Sequence, residues 1–403
     1  MAELTMQFLD VGQGDGIFTV FPNGVTMLVD LGSTKNKKVV TPAILAYFKT
    51  YTKFKDVGQT LDYLILTHPD RDHYNIILEF LKTLEIKVAK LFYGGEAGDY
   101  TFKPKQGEPS KAKNRIERIK ELCPAVEILF INNFPSRLSG IAFNSAETNF
   151  GGADVYVLIA NAPHPSANDE GWRKNTASVV LLVHYAGAKV ILSGDATTDT
   201  ERSLISNLWN AFGGNQNQQA GEVTLAFLNS HVLKLGHHGS RRTSNSVDWL
   251  SIIQPRFVFI SSDRHGRLDD TNKSGHRLPQ SLTLDLISKY SRLLWGKCAA
   301  HNIISAFDAD EYDAYNSAPE RPNDPVTYTD TGQHWLEQSV TAGIFTSLVK
   351  MDMTQADFSE ADQGAQFQLS ISHAGIVEIS STSEPRRLTG PISVRKLNEV
   401  NSK

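Results

Sequence analysis

Apolar and polar positions alternate in short bursts along the chain, and helical periods fall between them. Residues 4–10 alternate Leu, Met and Phe with polar partners, which predicts a strand ending at Asp10. A glycine-rich turn, DVGQGDG, leads back into an apolar run over 17–21, so it reads as a hairpin. A phosphate-cradling loop would need a helix after the turn, and none follows. A third strand is expected over 25–30 and a helix over 41–53, with Pro42 in its first turn. Next comes DYLILTHPDRDHYN (62–75), a buried strand that ends in a polar loop, and then a helical pattern over 76–84. Further strands are expected over 88–92, 127–131, 154–159, 176–185, 188–192, 231–235 and 256–261. Helices are expected over the second half of 103–120 and over 198–208, 246–253 and 279–290. Residues 166–174 read as a polar loop, and 210–222, rich in Gln, Asn and Gly, as a flexible insertion.

Strand-turn-strand blocks alternating with helices fit an α/β architecture in which helices cover two stacked sheets, a four-layer αββα sandwich. This pattern covers residues 1–300. Residues 301–403 form a C-terminal extension, with short β-type runs at 367–371 and 376–379 and a loose tail from 384.

The 403 residues allow a large core or two domains. Hydrophobic residues are 40% and charged residues 21%, as in ordinary globular proteins. A net charge of -4 gives no global electrostatic case for nucleic acid. Two cysteines, Cys123 and Cys298, do not make a disulfide framework. No apolar run is long enough to cross a bilayer, and the first residues lack the basic and apolar pattern of a signal peptide, so a cytoplasmic protein is expected.

Candidate chemistry gathers at strand ends. His68, Asp70, Asp72 and His73 fall within six residues of a single loop. Imidazole nitrogen and carboxylate oxygen suit divalent transition metals, and this loop holds more ligands than one tetrahedral ion needs from a single loop. Asp30, Asp195 and the pair His237–His238 stand at other strand ends. Asp195 could bridge two cations. His68 and a further histidine would complete one; Asp72, His73 and His238 would complete the other. Asp30 would accept a hydrogen bond from a ligand imidazole and fix its tautomer.

These residues fall into an ordered series. DVGQGD (10–15), Asp30-Leu31-Gly32, the His68-x-Asp70-x-Asp72-His73 loop, Asn175 to Ser178, Ser193-Gly194-Asp195 and His237-His238-Gly239-Ser240 follow one another. In this order they resemble the metallo-β-lactamase superfamily, and within it the ComEC-like competence hydrolase branch. The likeness covers roughly residues 4–300. It implies a metal-dependent hydrolase with two divalent ions, zinc or manganese. His68, Asp70, Asp72, His73, His164, Asp195 and His238 are its candidate ligands, and Asp70, where the wider superfamily has His, favours the harder metal. Asp10, Asp15 and Asp30 would stand behind the ligands. Asp72, Asp195 and His237 would carry catalysis. His237, Ser240, Arg241, Arg242 and His276 would contact substrate.

The resemblance implies phosphodiester hydrolysis, possibly of DNA. The alternatives are a hydrolase for a small ester, thioester or cyclic nucleotide, a scaffold without catalysis, or a defence component whose extension binds a partner protein.

Overall fold

The computed structural model describes residues 3–9, 11, 13–34, 37–56, 58–101, 114–131, 150–164, 169–212, 225–240, 243–255, 257–261, 278, 283, 302–305, 367–375 and 377–381. Of the expected loop over 210–222, residues 210–212 instead belong to a helix and the rest lies outside the described residues; all of the expected helix over 279–290 but residue 283, the tail from 384, Asp10, Arg241, Arg242 and His276 also lie outside them.

Two sheets form the centre. Strands β1 (Leu4–Phe8), β2 (Gly16–Val20), β3 (Thr26–Leu31), β4 (Thr60–Leu66), β5 (Lys87–Tyr93), β6 (Glu127–Phe130), β13 (Phe367–Ile371) and β14 (Val377–Ser381) make the first, in the order β14-β13-β1-β2-β3-β4-β5-β6. Strands β7 (Asp154–Ile159), β8 (Val180–Tyr185), β9 (Ala188–Leu192), β10 (Val232–Lys234), β11 (Phe257–Ile260) and β12 (Asn302–Ser305) make the second, in the order β12-β11-β10-β9-β8-β7. The strand period of two sorts side chains between faces. In β3 and β4, Met27, Val29, Tyr63 and Ile65 join Val155, Leu181, Val190 and Phe259 of the second sheet in one inter-sheet core. Leu28, Leu64 and Leu66 point the other way, against α1 (Lys37–Tyr51), α3 (Ile77–Thr83) and α4 (Arg115–Leu122) through Phe48, Phe80 and Ile116. On the far side, Leu182, Ile191 and Leu233 meet Leu204 and Leu208 of α6 (Thr198–Phe212) and Trp249 of α7 (Val247–Ile253). Three apolar layers therefore separate four layers of elements, the αββα sandwich expected from the patterning.

The glycine-rich turn is a hairpin: β1 and β2 pair antiparallel. Its tightness has a steric cause, because a Cβ on Gly14 would lie 2.4 Å from the Gly32 carbonyl oxygen and 2.6 Å from that of Asp72. One expected loop is partly helical. Residues Glu170–Thr176 form α5, capped by Asp169, whose side chain accepts the Trp172 amide. The Trp172 indole N–H is fixed in turn by Asp199 at 2.9 Å.

Residues beyond 300 supply strands to both sheets. β12 lies parallel to β11, and the β13–β14 hairpin lies antiparallel to β1. Leu369, Ile371 and Val377 are fully buried in the inter-sheet core. Among the described residues, no helix is long and apolar enough to cross a membrane.

A chain ending at residue 300 would expose the edges of β1 and β11 and remove three core side chains, so it should aggregate or melt at a clearly lower temperature than the whole chain. Size-exclusion chromatography and thermal denaturation check this; a monodisperse fragment with an unchanged melting temperature would show that the three strands are dispensable.

Candidate metal centre

β3 and β4 run parallel in the first sheet, and β9 and β10 run parallel in the second. Their carboxyl ends therefore lie at a common edge within each sheet, where loops carry side chains out of the regular ladders. Asp30 sits near the end of β3, Thr67 and His68 follow β4, Asp195 follows β9, and His237 and His238 follow β10. Three of these hold backbone conformations in the left-handed region: Asp30 (φ 56°), His237 (φ 47°) and His238 (φ 51°). Each costs on the order of 1–3 kcal/mol, which the surrounding bonds must offset.

Asp30 is completely buried and accepts three hydrogen bonds: the Thr67 amide at 2.8 Å, the Thr67 hydroxyl at 2.6 Å and His73 Nδ1–H at 2.8 Å. Because the Thr67 hydroxyl donates to Asp30, its oxygen accepts from His68 Nδ1–H, 3.0 Å away. His238 Nδ1–H donates to the Ser261 carbonyl at 2.8 Å. His237 Nδ1 is hydrogen-bonded to Thr243 Oγ1 at 2.6 Å, and that hydroxyl reaches Ser240 Oγ at 2.7 Å. In the three buried rings, His68, His73 and His238, Nδ1 is thus engaged, and Nε2 is left to face inward.

All four Nε2 atoms face one carboxylate. Asp195 Oδ1 is 3.1 Å from His73 Nε2, and Oδ2 is 3.7, 3.8 and 3.6 Å from those of His68, His237 and His238. Asp72 Oδ2 lies 3.6 Å from His238 Nε2. His68, His73 and His238 are completely buried, whereas His237 is partly exposed at the mouth. Nε2 of His68, His73 and His238, together with Asp195 Oδ1 and Asp15 Oδ1, are buried without a hydrogen bond. Lone pairs facing carboxylate oxygens at this range repel unless positive charge lies between them. The ligand-type atoms form the groups His68–His73–Asp195, Asp72–His73–His238 and Asp15–Asp30–His73. This donor set, nitrogen and oxygen with outer partners already in place, fits divalent transition metals.

The electrostatics agree. Burial pushes the His68 imidazole well below its usual range. Burial acts the same way on His73 and His238, but Asp195 and neighbouring carboxylates overcome it and raise both. Asp195 is held well below the ordinary carboxylate range by the surrounding imidazoles, against the effect of burial. Burial likewise raises Asp72, but His238 and His73 bring it down to about 2.

Two expected ligands fall outside these three groups. Asp70 precedes α2 (Arg71–Tyr74) and belongs to none of the three groups; burial, then Asp72 and Asp195, push its carboxyl up to about 6. His164, half-buried after β7, belongs to none either. The fourth imidazole facing Asp195 is that of His237.

The patterning missed several supporting residues. Thr67 links Asp30 to His68. Asn245 clamps the 3-10 turn Gly236–Gly239: its amide group accepts the Gly236 N–H at 3.2 Å and donates to the carbonyls of Gly236 at 2.9 Å and Ser240 at 3.0 Å. Glu201, buried on α6, accepts the Asn245 amide at 2.6 Å, the Ser246 amide at 2.9 Å and the Ser244 hydroxyl at 3.3 Å.

No family model matches the chain. The chain is 24% identical over 310 residues to ComE operon protein 3 of Bacillus subtilis (strain 168), a match that covers 72% of this chain and 31% of that protein. It is 36% identical over 88 residues to Competence protein ComA of Neisseria gonorrhoeae, covering 22% of this chain and 10% of that protein. By sequence the chain is similar to these two competence proteins. It spans less than a third of the longer match's own length. Among solved structures, it is similar at a TM-score of 0.30 to Igni18, a metallo hydrolase from Ignicoccus hospitalis, with 12% identity and coverage of 64% of this chain and 82% of that one. The metallo-β-lactamase MIM-1 from Novosphingobium pentaromativorans also gives 0.30, with 14% identity and coverage of 57% and 74%.

Glu201 supplies a pH test of the clamp. Burial pushes its carboxyl from the ordinary 4.5 up to about 7, against the pull of its three donors. The folded protein therefore keeps a proton that the unfolded chain releases, so this contribution to stability is full below about pH 4.5 and is lost as pH rises through about 7. The denaturation midpoint of the wild type should fall across that window, and Glu201→Gln should flatten the slope. The variant should also lose roughly 1–3 kcal/mol, because an amide cannot accept from both Asn245 and Ser246. Equal slopes in urea titrations at several pH values would contradict this.

Proposed function

We propose that the chain is a metal-dependent hydrolase and that it cleaves phosphodiesters, with DNA as the first substrate class. The observation that carries the metal-dependent part is the set of buried, unpaired Nε2 atoms facing Asp195. The substrate class is supported by the likeness to two proteins whose names refer to the com operon and to competence.

In this reading His68, Asp72, His73, Asp195 and His238 hold two divalent cations, zinc or manganese. When bound, such cations activate water at neutral pH and stabilise charge building on a phosphoryl oxygen. The chain's own residues do the remaining work. Asp30, Thr67 and Ser261 fix the ligand tautomers. His237, partly exposed and held by Thr243, faces the substrate oxygen as a hydrogen-bond partner. Ser240 and, outside the described residues, Arg241 and His276 are the further substrate contacts of this reading.

The net charge of -4 favours a second reading, a hydrolase for a small ester, thioester or cyclic nucleotide. Hydrolysis of single-stranded DNA, duplex DNA, RNA and bis-p-nitrophenyl phosphate, each with added zinc or manganese, tests the choice. A nuclease should lose affinity steeply as salt rises, whereas a small-substrate enzyme should not. Turnover of esters alone would overturn the phosphodiester reading.

Asp195→Asn should abolish hydrolysis while circular dichroism stays native, because the amide cannot supply the charge that the four imidazoles surround. The adjacent histidines should separate. His238→Ala should lower metal content, with activity partly restored at high added metal by mass action. His237→Ala should keep its metal and lose turnover by roughly 10²–10³-fold, by analogy with other donors to a developing oxyanion. Metal analysis beside kinetics distinguishes them, and the opposite pattern would exchange the two roles.

A further inference from the structure

Lys234 stands at the end of β10 inside the apolar run Val232–Leu235, and it is fully buried. Its ammonium contacts the Asp15 carboxylate and donates to the Gly194 carbonyl at 3.1 Å. Each of those partners is tied to one half of the metal-ligating set. Asp15 donates its amide to the Asp72 carbonyl at 3.2 Å, and its carboxylate lies 3.7 Å from His73 Nδ1 and 3.9 Å from His238 Nδ1. Gly194 precedes Asp195, and its carbonyl also accepts the His237 amide at 3.1 Å. One buried cation thus joins the Asp15–Asp72–His73 side of the first sheet to the Gly194–Asp195–His237 side of the second.

We propose that Lys234 is a positioning residue: its ammonium is the resident cation of the acidic pocket formed by Asp15, Asp30 and His73, and it holds the two halves of the site in register whether or not metal is bound. The metal-affinity part rests on the reading of a metal centre given above; the charge-pairing part does not.

The physics makes this separable from packing. A buried ammonium and a buried carboxylate each lose hydration, and each is tolerable only because of the other. Removing one leaves an uncompensated charge, whereas removing both is milder. If Lys234 served only to fill space, a neutral side chain of similar length would do. The effect on metal also has a diagnostic sign. By Coulomb's law alone, deleting a positive charge beside the centre should tighten cation binding. Loss of positioning should weaken it, roughly 10–100-fold, as for other outer partners of metal ligands.

The test uses the full chain as wild type, K234M, K234R and K234M/D15N. Melting temperatures are measured in chelator, and zinc and manganese affinities by titration of the metal-free proteins. K234M should melt well below wild type in chelator, and K234M/D15N should recover at least half of that loss. K234M should bind metal more weakly, and K234R, which keeps the charge, should lie closer to wild type. A K234M melting temperature equal to that of wild type, a double variant that loses the sum of the single effects, or tighter metal binding by K234M would each overturn the proposal. If K234M does not fold but the double variant does, charge pairing is supported in its strongest form. If neither folds, the side chain is needed for packing and the proposal fails. If the wild type takes up no metal, the metal reading fails by itself, and the melting temperatures still decide the Lys234–Asp15 pairing.

Discussion

Everything at this site depends on one electrostatic constraint: the Nε2 atoms of His68, His73, His237 and His238 converge on the Asp195 carboxylate at 3.1–3.8 Å. Three of the rings are completely buried, so solvent cannot relieve the repulsion. Burial lowers all three buried imidazoles, but Asp195 overcomes it at His73 and His238 and raises both, while His68 stays lowered. Divalent cations would relieve the repulsion, since each supplies two charges and takes several lone pairs at once.

The sandwich makes that constraint tolerable. Parallel strands in each sheet deliver their carboxyl ends to one edge, so six residues distant in sequence meet without long loops. The strained backbone of the His237–His238 turn is offset by local bonding. Asn245 brackets the turn, and Glu201 fixes Asn245 from α6. Ser261, just past β11, orients His238 and also donates to the Gly14 carbonyl at 2.5 Å, so the opening hairpin and the last histidine share a support.

Much of this was legible in the sequence, for identifiable reasons. Short apolar runs bounded by turn residues marked the central strands, because both of their faces are buried here. Clustered His and Asp at strand ends single out His68, Asp70, Asp72, His73, Asp195 and His238, of which all but Asp70 fall into the close groups of the structure. What local pattern could not carry was pairing across long separations. Nothing in the run at 367–371 says that it lies against residues 4–8, and nothing near His237 says that its ring, rather than that of His164, faces Asp195. Lys234 left a trace, a lone cation inside an apolar strand, but that pattern reads equally as an edge position. α5 was hidden because its residues are mostly polar and its start depends on the Asp169 cap.

The central claim is that this convergence is a metal centre with room for two cations. Elemental analysis after purification without chelators, followed by titration of the metal-free chain with zinc and with manganese, tests it most directly. The account predicts saturation at about two ions per chain. Less than about half an ion as purified, with no uptake of either metal on titration, would contradict it.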